Sequence, residues 1–168
     1  MIDRLKLIIL ALILAFLQSF LLEQVDMGFW LRPMPYILLF LSFPLNFNKY
    51  IQLVIAFVFG TFIDLLSGSF GTNSASCVFL VYIKQLVDSR FVDFDSIKLQ
   101  GESYINIRTK GWVFFAYYIF GLTFSHHFVF FALDFFEFSS IFRILITTIV
   151  STLGTISLVL LFKSIFRI

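Results

Sequence analysis

The sequence predicts an all-α integral membrane protein, a bundle of about six transmembrane helices forming a single domain over 1–168. Three observations lead there. The chain is 60% hydrophobic and only 13% charged, with a mean hydropathy of +1.00, whereas soluble domains carry about 25% charged residues. Its charges cluster in polar connections between apolar runs long enough to be read as spans. Lys and Arg also divide unevenly between the two sides that six spans define. One side receives Arg4, Lys6, Lys49, Lys84, Arg90, Lys98, Arg108, Lys110, Lys163 and Arg167, and the other only Arg32 and Arg143. The basic side is cytoplasmic by the positive-inside rule, so both termini and the long polar loop are expected there, and Glu23, Asp26, Asp64, Asp134 and Glu137 opposite.

Asp3, Arg4 and Lys6 precede an apolar run from Leu7 to Leu22. It starts like a signal peptide but has no A-x-A-type cleavage site after it, so a retained first helix is expected. Ala11 and Ala15 form a small-x-x-x-small pair suited to close helix packing. Glu23, Asp26 and Arg32, with Gly28, Trp30, Pro33 and Pro35, mark a bent polar connection at headgroup level. The second run, Met34 to Phe47, is about 14 residues and as a helix reaches only about 21 Å of a core about 30 Å thick. Three readings stand for it: a short helix ending near Pro44, a helix extended upstream through Trp30, or a re-entrant piece shielded by protein.

Tyr50 to Leu66 is the third span, with Gly60, Asp64 and Gly68 at four-residue steps if the helix runs on. A turn at Gly71 to Asn73 and a fourth span from Ser74 to Val87 follow, with Lys84 expected to snorkel towards the headgroups. Residues 88–110 form the one long polar segment, a candidate soluble-side contact surface of about 23 residues. Gly111 and Trp112 open the fifth span, to Leu133, and Ile141 to Phe162 is the last. In it Thr148, Ser151, Thr152 and Thr155 recur at three- and four-residue intervals beside Gly154, a stripe suited to helix packing with interhelical hydrogen bonds.

Candidate chemistry is sparse. The net charge is +2 and the basic residues are dispersed, so no nucleic-acid face exists. Cys77 is the only cysteine, which leaves no disulfide and no cysteine-based metal framework; it is expected to pack. His126 and His127 are adjacent, about 100° apart on a helix, and so cannot chelate one metal together without further ligands. Packing or an interhelical hydrogen bond is their expected role. No G-x-S-x-G elbow, H-E-x-x-H motif or P-loop is present. No catalytic residue, metal or cofactor is assigned.

Asp64 stands out because a carboxylate at the end of an apolar run is followed by small residues, Gly68, Gly71, Asn73, Ser74 and Ala75. Burying a charge in a membrane is costly, so such a group is read as functional by default; a simple cap on a loop is the alternative. The segment F-V-F-G-T-F-I-D-L-L-S-G-S-F-G-T-N-S-A, residues 57–75, resembles the rod shape-determining protein MreD family. Gly60, Asp64, Gly68, Gly71 and Ala75 carry the likeness, while Thr61 and Thr72-Asn73 depart from the family pattern. The resemblance implies a non-enzymatic bacterial inner-membrane scaffold of the cell-elongation machinery. Its partners would be an MreC-like single-span protein and, through it, an MreB-like filament and the cell-wall synthases. It also implies a fold similar to the substrate-binding subunits of energy-coupling-factor vitamin transporters. A transporter subunit is therefore the runner-up, with Ala11 and Ala15 as its docking pair.

Overall fold

The computed structural model describes residues 9, 11–22, 30–93, 95, 97, 105, 107–136 and 141–166. Glu23, Asp26, Lys98, Glu137, Arg167 and the first eight residues, on which part of the charge count rests, lie outside the described residues. Helix α1, Ala11–Phe20, continues as a π-helix over Leu17–Leu22. Then come α2, Ile37–Leu41; α3, Lys49–Ser67; α4, Thr72–Phe91; α5, Ile107–Phe135; and α6, Ile141–Phe166. Among the described residues three helical stretches, Lys49–Ser67, Thr109–Phe135 and Ile141–Leu161, are long and apolar enough to cross a membrane. The chain is thus helical and membrane-spanning in character. At 20 residues, α4 matches α3 in length, but a polar start and Lys84, Asp88 and Arg90 near its end dilute its hydropathy.

Hydrogen bonds fix which helix ends lie together. Gln85 Nε2, late in α4, donates to the Lys49 carbonyl at the start of α3 (2.8 Å), and Tyr118 Oη, early in α5, donates to Asp88 Oδ1 (2.8 Å). At the opposite end Arg32 Nη1 pairs with Asp134 Oδ2 at 3.0 Å, and the Arg143 guanidinium covers the Phe135 ring at 4.6 Å. Residues 30–48 therefore carry the chain from the Arg32–Asp134 end to the Lys49–Gln85 end.

That traverse shares a short helix ending before Pro44 with one sequence reading and shielding by protein with another, but it runs from end to end and does not re-enter. It contains one helix of five residues, Ile37–Leu41, and is otherwise turns and extended chain. Pro33, Pro35 and Pro44 explain why, since proline lacks the N–H that a continuing helix needs. Such backbone survives at membrane depth only inside protein, and here Met34, Tyr36, Ile37, Leu38, Leu39, Phe40 and Phe43 are all at most 3% exposed. Edge-to-face packing holds it: Phe40 meets Phe59 of α3 at 5.7 Å and 85°, and Phe43 at 5.6 Å and 86°. The segment is the core around which α3 to α6 stand.

Other departures are local. The α3–α4 turn occupies 68–71, and α4 starts at Thr72, two residues before the expected Ser74. Gly68 is the left-handed C-cap of α3 (φ 68°), so Gly60 and Asp64 share a helical face that Gly68 does not continue. Lys84 does not snorkel. It is 1% exposed, and its ammonium lies 2.7 Å from Asp88 one turn later, because a buried charge needs a partner more than a long side chain needs water. At Gly111 (φ 80°, ψ 164°) the backbone kinks, so the straight part of α5 opens at Trp112 as expected. Of the long polar connection, Ile97 and Ile105 are buried.

Candidate functional site

The α3–α4 junction is built on a shortage of donors' partners. An α-helix leaves its first N–H groups unbonded, and the N-cap of α4 is Gly71 (φ 86°), which has no side chain to accept them. Asp64, on the preceding helix, does so instead. Its Oδ1 accepts from Asn73 N at 2.9 Å and Asn73 Nδ2 at 3.1 Å, and its Oδ2 from Ser74 N at 2.9 Å. The Ser69 hydroxyl also donates to Oδ1. Asp64 is 5% exposed, and these donors offset the loss of water around its charge. The position also favours an anion, because the N-terminus of α4 presents the positive end of its dipole.

Gly60 makes that approach possible. A Cβ placed on it would stand 2.4 Å from Ser74 Cα and 2.8 Å from Ser74 N. Only a residue without a side chain lets the first turn of α4 rest against α3, one turn before the carboxylate that caps it. The G-x-x-x-D spacing thus puts a contact and a cap on one face.

From this junction the bonding continues into the broken traverse and α5. Tyr36 Oη donates to Asn73 Oδ1 at 2.9 Å and lies 3.2 Å from His126 Nε2. His127, pointing elsewhere as adjacent helical residues must, places Nε2 2.8 Å from Thr155 Oγ1 of α6. That same hydroxyl accepts Met34 N at 2.9 Å, while Ser151 Oγ accepts Arg32 N at 3.0 Å and donates to the Trp30 carbonyl at 3.3 Å. Two members of the α6 stripe therefore replace the backbone partners that the prolines remove. Thr148 and Thr152 are equally buried, but among the described residues their hydroxyls have no hydrogen-bond partner. Gly154 completes the seat, since a Cβ there would meet Leu31 Cδ1 at 2.7 Å.

The residues singled out by sequence thus separate into two groups. Gly60, Asp64, Asn73 and Ser74 meet one another inside the chain, as do Ser151 and Thr155 with the traverse. Gly68 and Ala75 are exposed and Gly71 partly so, on the outer side of the same hairpin. Ala15 is fully buried, which turns the Ala11-x-x-x-Ala15 pair inward. No family model, curated protein or solved structure matches the chain.

Sequence reasoning missed Tyr36, the hub between the junction and α5, and the Lys84–Asp88–Tyr118 cluster. Tyr36 had a signal: a hydroxyl-bearing ring inside an apolar, proline-flanked run needs a partner. Chemically, the Asp64 carboxylate is engaged by four hydrogen-bond donors from Ser69, Asn73 and Ser74, an arrangement that fixes geometry rather than holding a reactive acid or base. Among the described residues no group of three or more His, Cys, Asp or Glu side chains is disposed around a metal position.

Proposed function

We propose that this chain is a non-enzymatic, multi-pass scaffold of the bacterial inner membrane that serves the cell-elongation machinery and binds an MreC-like single-span partner. The observation that carries the reading is the use made of the G-x-x-x-D element. Its small residue and its carboxylate are spent on holding α3 against α4, which is assembly work, and the segment containing them is the one that resembles MreD. In this reading the hairpin is a rigid platform, and its outward residues Gly68, Gly71 and Ala75, with Phe70 wholly exposed at the tip, receive the partner's helix. Small residues suit that purpose because helices in lipid gain little from burial and must approach closely to bind.

In this reading the chain crosses six times, with both termini and residues 88–110 in the cytoplasm, on the side of an MreB-like filament. The described basic residues agree with that arrangement: Lys49, Lys84 and Arg90 belong to the Gln85 end, Arg32 and Arg143 to the Asp134 end. The alternative, a vitamin-transporter subunit docking through Ala11 and Ala15, loses support from the inward position of Ala15. Depletion tests the choice. Rounded cells, with co-purification of a periplasmic coiled-coil protein from detergent, are expected; a growth defect cured by one vitamin would favour the transporter.

A further inference from the structure

The Tyr36 hydroxyl reaches acceptors on two different helices, and it has one proton to give. Asn73 Oδ1, at the start of α4, is 2.9 Å away, and His126 Nε2 of α5 is 3.2 Å away. The Met34 thioether at 3.5 Å is a weaker third. Met34, Tyr36, Asn73 and His126 are all at most 2% exposed, so the choice between these acceptors is made inside the protein.

The charge on Asp64 makes it. An ionised carboxylate only accepts, so the Asn73 amide turns its nitrogen to Asp64 Oδ1 (3.1 Å) and its oxygen to Tyr36 (2.9 Å). Tyr36 therefore donates to Asn73, and its own oxygen is left to accept from His126. The imidazole must then carry its ring proton on Nε2, and Nδ1 is a bare lone pair that has no partner among the described residues. Each donor along His126, Tyr36 and Asn73 points towards Asp64.

We propose that Tyr36 is a hydroxyl toggle that reads whether the α3–α4 hairpin is docked against the traverse. With Asn73 in place, the hydroxyl donates to it and His126 is the Nε2–H tautomer. With Asn73 withdrawn, the hydroxyl turns to His126 Nε2, and the imidazole carries its one proton on Nδ1. The chain gains and loses no proton, and neither arrangement strands the buried hydroxyl of Tyr36. Cys77 Sγ, 3.9 Å from Nε2, can donate or accept and so follows either arrangement. Docked is the resting arrangement, because it leaves a bare nitrogen unpartnered and not an N–H, which is the rarer orphan in proteins. Two discrete arrangements of one buried group are what carries a change at the hairpin to α5. No partner protein enters this step, so it stands apart from the scaffold reading.

The test is nitrogen-15 NMR of the full chain in detergent with labelled histidine, in which protonated and bare ring nitrogens resonate far apart. The chain has 2 histidines, so His127→Gln leaves His126 alone in the spectrum. In that background a protonated Nε2 and a bare Nδ1 are expected. Asn73→Leu should move the tautomer ratio towards Nδ1–H by about fivefold, the size of one net hydrogen bond, and adding Tyr36→Phe should abolish that response. An Asn73 that only stabilised the fold would leave the ratio where it was. A protonated Nδ1 with Asn73 intact would overturn the proposal, as would an unmoved ratio in helical Asn73→Leu or an equal shift in the Tyr36→Phe background. Should Asn73→Leu lose its helical circular dichroism, two results decide: the tautomer with Asn73 intact, and whether Tyr36→Phe alone erases the Nε2–H preference, a preference that survives it counting against the toggle.

Discussion

Asp64 and Ser74 stand on different helices, ten residues apart in the chain, with the Asp64 carboxylate accepting the Ser74 N–H at 2.9 Å. A cap normally belongs to the helix it caps. Here the carboxylate is supplied by α3, so the cap also fastens the two helices together, and the glycine at position 71 leaves it no competitor.

Removal of that carboxylate should therefore be felt as lost stability. Asp64→Ala leaves the Asn73 and Ser74 N–H groups buried and unbonded, at about 1–3 kcal/mol each. Denaturant unfolding in detergent, followed through Trp30 and Trp112 fluorescence, is expected to show a loss of about 3 kcal/mol or more. Asp64→Asn, which keeps one acceptor, should lose less.

Overpacking at Gly60 offers an independent check on the close approach. Gly60→Ala forces the hairpin apart and is expected to destabilise it by about 1–3 kcal/mol. Because the clash is with Ser74 Cα and N rather than with its side chain, adding Ser74→Gly should give no rescue. Recovery of the wild-type unfolding midpoint in the double variant would show that the helices are not in backbone contact.

The α6 stripe predicts a contrast between neighbours of the same type. Thr155→Val strips the acceptor from Met34 N and the partner from His127, and should lower stability by about 1–2 kcal/mol. Thr148→Val removes a buried hydroxyl that has no hydrogen-bond partner among the described residues, so it should be neutral or stabilising. Equal effects in parallel unfolding measurements would contradict the bonding described.

Which parts of this were legible beforehand follows from range. Hydropathy reports each helix separately, so α3, α5 and α6 could be read almost to their ends. Asp64 and the small residues after it could be singled out because a charge in an apolar run violates a local rule. The traverse could not be drawn, since its shape depends on Ser151 and Thr155, more than a hundred residues away. Lys84 was misread for a similar reason: its length suggested reach to water, while Asp88 and Tyr118, the latter on another helix, made burial cheaper. The separate partners of the two histidines, on the traverse and on α6, are tertiary facts that no local spacing reveals.

Topology is open to direct chemical labelling. Cys77 is fully buried, so single cysteines can be introduced without a competing thiol. Arg90→Cys and Phe136→Cys lie at exposed positions at opposite ends of the bundle. With an impermeant maleimide on intact spheroplasts, Phe136→Cys should label at once and Arg90→Cys only after lysis. Labelling of both from one side would refute the assignment of the ends.

The most direct measurement of the scaffold reading is capture of an MreC-like single-span partner by detergent-solubilised chain, compared between wild type, Ala75→Leu and Phe70→Ala. Both positions face outward and take no part in the Asp64 network. The expected result is capture reduced at least about tenfold in the variants, or about 1.4 kcal/mol, with unfolding midpoints unchanged. Capture at the wild-type level by both variants would contradict the claim that the outer side of this hairpin receives the partner.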